Sequence, residues 1–97
     1  MDNIDEIVSR LEAGKAHGNP RHNLTHHQIL RIAQSRGSFH VGRRYRDDKY
    51  ARRCGKLTQF GLLRKHRGQR YGDGTRFTLT ELGREALKLL DQKVQAS

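Results

Sequence analysis

Residues 50–90, YARRCGKLTQFGLLRKHRGQRYGDGTRFTLTELGREALKLL, read as helix, short strand, Gly-rich basic turn, short strand, helix. Tyr50, Cys54 and Leu57 recur at i, i+4 and i+7, so they share one helical face. Leu62 and Leu63 open a strand that ends near His66. The turn at 67–75, RGQRYGDGT, holds three glycines. Arg76 to Leu79 form the returning strand, with Phe77 and Leu79 on its inner face. Leu82, Ala86, Leu89 and Leu90 then give the last helix, from about Thr80, an apolar stripe. This order confines the chain to folds in which a hairpin joins two helices.

The upstream half supplies two more helices. Residues 2–13 carry Ile4, Ile7, Val8 and Leu11 at helical spacing; Asp2 and Asn3 can cap this helix and Gly14 can end it. Gly, Asn and Pro in the stretch 14–23 mark a linker. The expected organisation is an N-terminal helix (1–14), a linker (15–23) and one domain (24–97). Thr25 and Gln28 form a capping box for a helix from Thr25 to Arg36. Leu24 can staple to Ile29, and Ile29, Leu30, Ile32 and Ala33 form the buried stripe. Gly37 suits a left-handed C-cap. Phe39 and Val41 alternate with polar residues in SFHVGRRYR (38–46), which fits a short strand or the apolar face of a stunted helix. The third helix is expected from Asp47 to Phe60, capped by Asp47 or Asp48 and stopped by Gly61. The fold class is mainly α with a small β-hairpin (α+β).

Charge narrows the function. Ninety-seven residues make one small domain, and 33% hydrophobic residues make a thin core. Twenty Lys and Arg oppose ten Asp and Glu, for a formal +10. Such a field attracts polyanions, and nucleic acid is the commonest of them through counterion release. The cations are unevenly spread: residues 1–14 are net acidic, whereas 43–76 hold most of the arginines. A membrane-surface helix needs bulky apolar residues beside its cations, and 43–53 offers mainly Tyr45 and Tyr50. No run has the length of a membrane span, and no apolar stretch at the N-terminus suggests a signal peptide. A lone cysteine, Cys54, fits a reducing compartment. A cytoplasmic, nucleoid-associated protein is the expectation.

Lys49, Arg52, Arg53 and Lys56 share a face of the third helix beside its apolar one. Arg52 and Arg53 can donate bidentately to guanine, and Lys49 and Lys56 suit phosphates. Four cations alone describe an ordinary solvated helix face. The adjoining turn, with Arg67, Arg70 and Arg76 around Tyr71, favours a nucleic-acid surface, and Arg43, Arg44 and Arg46 lie on the approach to the helix. Enzymatic chemistry has no support: Asp47, Asp48 and Asp73 stand in capping or turn contexts, and Cys54 falls on the buried face. GQRYGDG lacks the Gly-Lys-Ser/Thr ending of a nucleotide-hydrolase loop. The histidines, His17, His22, His26, His27, His40 and His66, lack a zinc signature and are read as adding polarity, and some positive charge in mild acid. No cofactor or metal is expected.

ARRCGKLTQFGLLRK resembles the recognition helix and first wing strand of winged helix-turn-helix regulators. There an apolar residue, Leu, a spacer, Gly-Leu-Leu and basic residues follow in order; here they are Cys54, Leu57, Gly61, Leu62, Leu63, Arg64 and Lys65. FTLTELGREAL resembles the second wing strand and following helix of MarR-like and PadR-like repressors, through Phe77, Leu79, Thr80, Gly83, Ala86 and Leu87. The resemblance covers about residues 24–90. It implies a winged helix that binds duplex DNA as a small transcriptional regulator, with a homodimer as candidate assembly. The usual second helix of the trihelical core would fall in SFHVGRRYR, where Gly42 and the short length leave it degenerate or absent. The rival reading is a winged helix that contacts RNA or an acidic protein partner. The stripes of the first and last helices are the candidate dimer surfaces; the rival is that the first helix packs back onto its own domain, beside Leu82 and Leu89.

Overall fold

The computed structural model describes residues 3–15, 24–42, 48–67 and 74–95. Among them the chain forms α1 (Ile4–Ser9), α2 (His26–Arg36), β1 (Phe39–Val41), α3 (Asp48–Gln59), β2 (Leu63–Arg67), β3 (Thr75–Leu79) and α4 (Glu81–Gln95). The strands make one antiparallel sheet in the order β1-β3-β2. The fold of the described residues is therefore α+β, with four helices and a small three-stranded sheet. Phe39 and Val41 belong to a strand, which resolves the ambiguity over 38–41. The expected approach residues Arg43, Arg44 and Arg46 lie outside the described residues, as do Asp2, Asp47, His17 and His22.

Local chemistry sets the helix ends. Asn3 caps α1 by accepting the Asp5 N–H at 3.3 Å. The helix closes at Ser9, with Arg10 as its C-cap, several residues short of Gly14. At α2 the capping box is present: Thr25 Oγ1 accepts the Gln28 N–H and Gln28 Oε1 accepts the Thr25 N–H. At the end of α3 the Leu62 N–H reaches the Leu57 carbonyl at 2.9 Å and the Gly61 N–H reaches that of Thr58 at 3.0 Å. This six-to-one and five-to-two pair of bonds is a Schellman stop, and it needs the left-handed φ of 82° at Gly61. Its hydrophobic partners, Leu57 and Leu62, are both fully buried.

The core joins α2, α3 and α4 to the inner face of the sheet. Ile29, Leu30, Leu57, Leu62, Leu87, Leu90 and Cys54 have almost no exposed surface. Thr80 ties the start of α4 to the turn after α3: its Oγ1 donates to the Gly61 carbonyl at 2.6 Å and accepts the Gly83 N–H at 3.0 Å. Gly83 then passes so close that a Cβ there would run into the Leu62 carbonyl oxygen and the Leu79 side chain. The Thr80-x-x-Gly83 pattern therefore serves packing.

Two expectations change. Ile7, Val8 and Leu11 are buried in the same core, and α1 packs against α4. The stripe that suggested a dimer is thus covered within one chain. His26 and His27 are also buried, and they do more than add polarity. They clamp the segment after α1: His26 Nδ1 accepts the Glu12 N–H at 3.1 Å, and His27 Nδ1 accepts the Gly14 N–H at 2.9 Å. With Nδ1 accepting, His27 Nε2 donates to Asp91 Oδ1 at 2.5 Å.

Candidate nucleic-acid interface

The faces of α3 have different tasks. Cys54 and Leu57 point into the core, with Tyr50 packed at its edge; the Tyr50 ring meets Phe39 edge-on at a centroid separation of 6.2 Å. Burial pushes the Cys54 thiol up to about 12, so it stays protonated and inert near neutral pH. The opposite face carries Arg52, Lys56 and Gln59, all exposed. Arg52 and Lys56 stand one turn apart and make no ion pair among the described residues.

Arg53 leaves this group. Its side chain is only 21% exposed, and Nε donates to Glu12 Oε2 at 3.1 Å. Glu12 also lies 3.8 Å from His26 Nδ1. Arg53 is thus turned toward the end of α1 and held there by a carboxylate. Lys49 lies on α3 and Arg67 on β2, but their side chains, like Arg70 and Tyr71, are outside the described ones.

The sheet sorts the remaining cations. Antiparallel partners share a face, so the register Phe39↔Phe77 and Leu63↔Leu79 defines the inner one. Lys65 pairs with Phe77 and also belongs to it. Arg76 pairs with His40 on one side and His66 on the other, which places all three on the outer face. The expected wing cation Arg76 therefore does not share a side of the sheet with α3, whereas Lys65 does.

Between α3 and the inner face of the hairpin lies an open cleft of about 350 Å³. Ala51, Gly55, Thr58 and Gln59 form its helix wall; Lys65, Thr75 and Phe77 form its sheet wall. Gly55 is exposed, and a Cβ there would meet nothing within 4 Å. Thr58 Oγ1 donates to the Cys54 carbonyl at 2.8 Å, which leaves it as an acceptor toward the cleft. Gln59 and Lys65 thus border a cleft floored by small side chains, and Arg52 and Lys56 lie on the adjoining exposed face of α3, outside its lining. This arrangement suits a polyanion that needs close backbone approach. Sequence reasoning did not single out Gln59, Lys65 or Gly55 as site residues, and all three line the cleft. Lys65 was reachable from strand parity, because it stands two residues after the core residue Leu63.

The other polar cluster lies at the far end of α2 and α4. Burial alone would raise the Asp91 carboxyl, but hydrogen bonds from Arg31, at 2.8 Å, and from His27 outweigh it and hold it below its ordinary value. Burial lowers the His26 imidazole; Glu12 opposes this, and Lys56 and Arg53 reinforce it. Both clusters join elements of the fold, and neither contributes a residue to the lining of the cleft. No helix among the described residues is long and apolar enough to cross a membrane. Comparisons of the chain with protein-family models, curated proteins and solved structures find no match.

Proposed function

We propose that this chain is a winged helix-turn-helix protein that binds duplex DNA, with α3 as the groove-entering helix and the β2–β3 hairpin as the wing. The observation that carries the reading is the placing of α3 beside the hairpin: Arg52 and Lys56, without carboxylate partners among the described residues, lie on the exposed face of α3 next to a cleft that Lys65 lines from the hairpin. A helix fits the major groove, and an adjoining hairpin can follow the backbone beside it. Arg52 is suited to a guanine edge, and Lys56 and Lys65 to phosphates. Gln59 offers an amide that can pair with adenine. The strong positive charge of the whole chain adds steering toward DNA. A small transcriptional regulator is the role that this surface fits best. No catalytic step is part of the reading.

The test is a titration against random-sequence duplex DNA and duplex RNA of equal length at two salt concentrations. The account expects DNA to bind more tightly, and both to weaken as salt rises. Preference for A-form RNA would move the assignment to RNA binding, since its major groove is too narrow for side chains to read.

A further inference from the structure

The solvent face of the sheet is not explained by α3 or its cleft. The helix–strand contacts place α2 and α3 on the inner side. On the outer side His40, Arg76 and His66 stand in one row straight across β1, β3 and β2. Arg64 follows on β2, opposite Thr78, whose hydroxyl meets His66 Nε2 at 2.9 Å. Arg64 and Arg76 are exposed and have no ion pair among the described residues. None of the residues in β1, β2 or β3 is acidic. Neighbouring strands lie about 4.7–4.9 Å apart, and like charges opposite one another disfavour the sheet. The row is extended and does not converge on a point, so it matches a chain of phosphates better than a single small anion.

One straight duplex does not reach both surfaces. Side chains at alternate strand positions point to opposite faces, so DNA in the cleft meets Lys65 and not Arg64. Duplex DNA is stiff, with a persistence length of about 50 nm. The chain measures only 42 × 32 × 22 Å. A short duplex held by α3 cannot fold around so small a body. We propose that the outer sheet face, through Arg64 and Arg76, binds the phosphate backbone of a second DNA duplex, so that one chain bridges two duplexes. The proposal rests on the duplex-binding reading above.

The experiment captures protein on an immobilised short duplex, at no more than one chain per duplex, and then adds a labelled second duplex. The wild type should bind the first and recruit the second. Arg64→Glu with Arg76→Glu should bind the first within about threefold of wild type and recruit at least about tenfold less of the second, the scale of a few lost charge contacts. The pair Arg64→Lys with Arg76→Lys should restore recruitment, and the neutral pair Arg64→Gln with Arg76→Gln should show the loss if the acidic pair fails to fold. A wild type that binds the first duplex and recruits no second one overturns the bridge. So does recruitment that survives the acidic pair, or an acidic pair that loses the first duplex to the same extent, because one continuous surface would then serve a single duplex. If the wild type does not bind the immobilised duplex, the duplex-binding reading itself has failed, and the bridge with it.

Discussion

Gly55 stands inside α3 with open space where a side chain would be. A glycine in a helix interior costs about 0.5–1 kcal/mol relative to alanine, and no neighbour here requires it. It stands on the wall of the cleft. Gly55→Ala should raise stability by about 0.5–1 kcal/mol in thermal melts, yet weaken duplex binding in the same preparation. Equal binding with higher stability would take Gly55 out of the interface. Leu57 gives the complementary case, since it is fully buried and anchors the stop of α3. Leu57→Ala should cost about 2–5 kcal/mol in denaturant unfolding, and a variant as stable as wild type would mean that its pocket can collapse freely. The apolar spacing made this core face legible. Arg53 was not legible, because helical spacing groups it with Arg52 and Lys56 while its partner, Glu12, lies 41 residues upstream.

At the scale of elements, α2 holds the chain after α1 by its first turn. The His27 N–H donates to the Glu12 carbonyl at 3.0 Å, and Thr25 Oγ1 donates to that of Gly14 at 2.7 Å. Together with the two imidazoles, which accept the Glu12 and Gly14 N–H groups, this turn ties the segment after α1 to the start of α2. A protonated His26 loses its Nδ1 lone pair and cannot accept the Glu12 N–H. Its folded pKa is lowered below the ordinary 6.5, so the unfolded chain takes the proton first. Its contribution is complete above about pH 6.5 and is lost as pH falls through the lower, folded value. Melting temperature should therefore drop between pH 7.5 and pH 5.5, and His26→Gln should flatten that drop; an unchanged profile would assign the pH dependence elsewhere. Asp91, also lowered, contributes above its ordinary 3.8 and loses that contribution only in stronger acid. The sequence disclosed α2 through α4 with their capping box and Schellman glycine to within a residue or two. It placed the end of α1 too late, because the clamp that stops it is built from tertiary hydrogen bonds.

At the scale of the whole molecule, the sheet decides which cations act together. Composition made a polyanion the expected partner, and the hairpin was legible from its two alternating strands and glycine turn. The division of basic residues between two faces was not, because it depends on a register that also involves β1. That register puts Lys65 beside α3 and Arg76 behind the sheet. The central claim is that α3 and the cleft form the primary contact with duplex DNA. It is tested most directly by the salt dependence of duplex binding for the wild type and for the triple variant Arg52→Ala, Lys56→Ala, Lys65→Ala, followed by fluorescence anisotropy. The account predicts binding weakened at every salt concentration and a log–log slope smaller by about two to three units, with the fold intact by circular dichroism. A folded triple variant with wild-type affinity and an unchanged slope would contradict it.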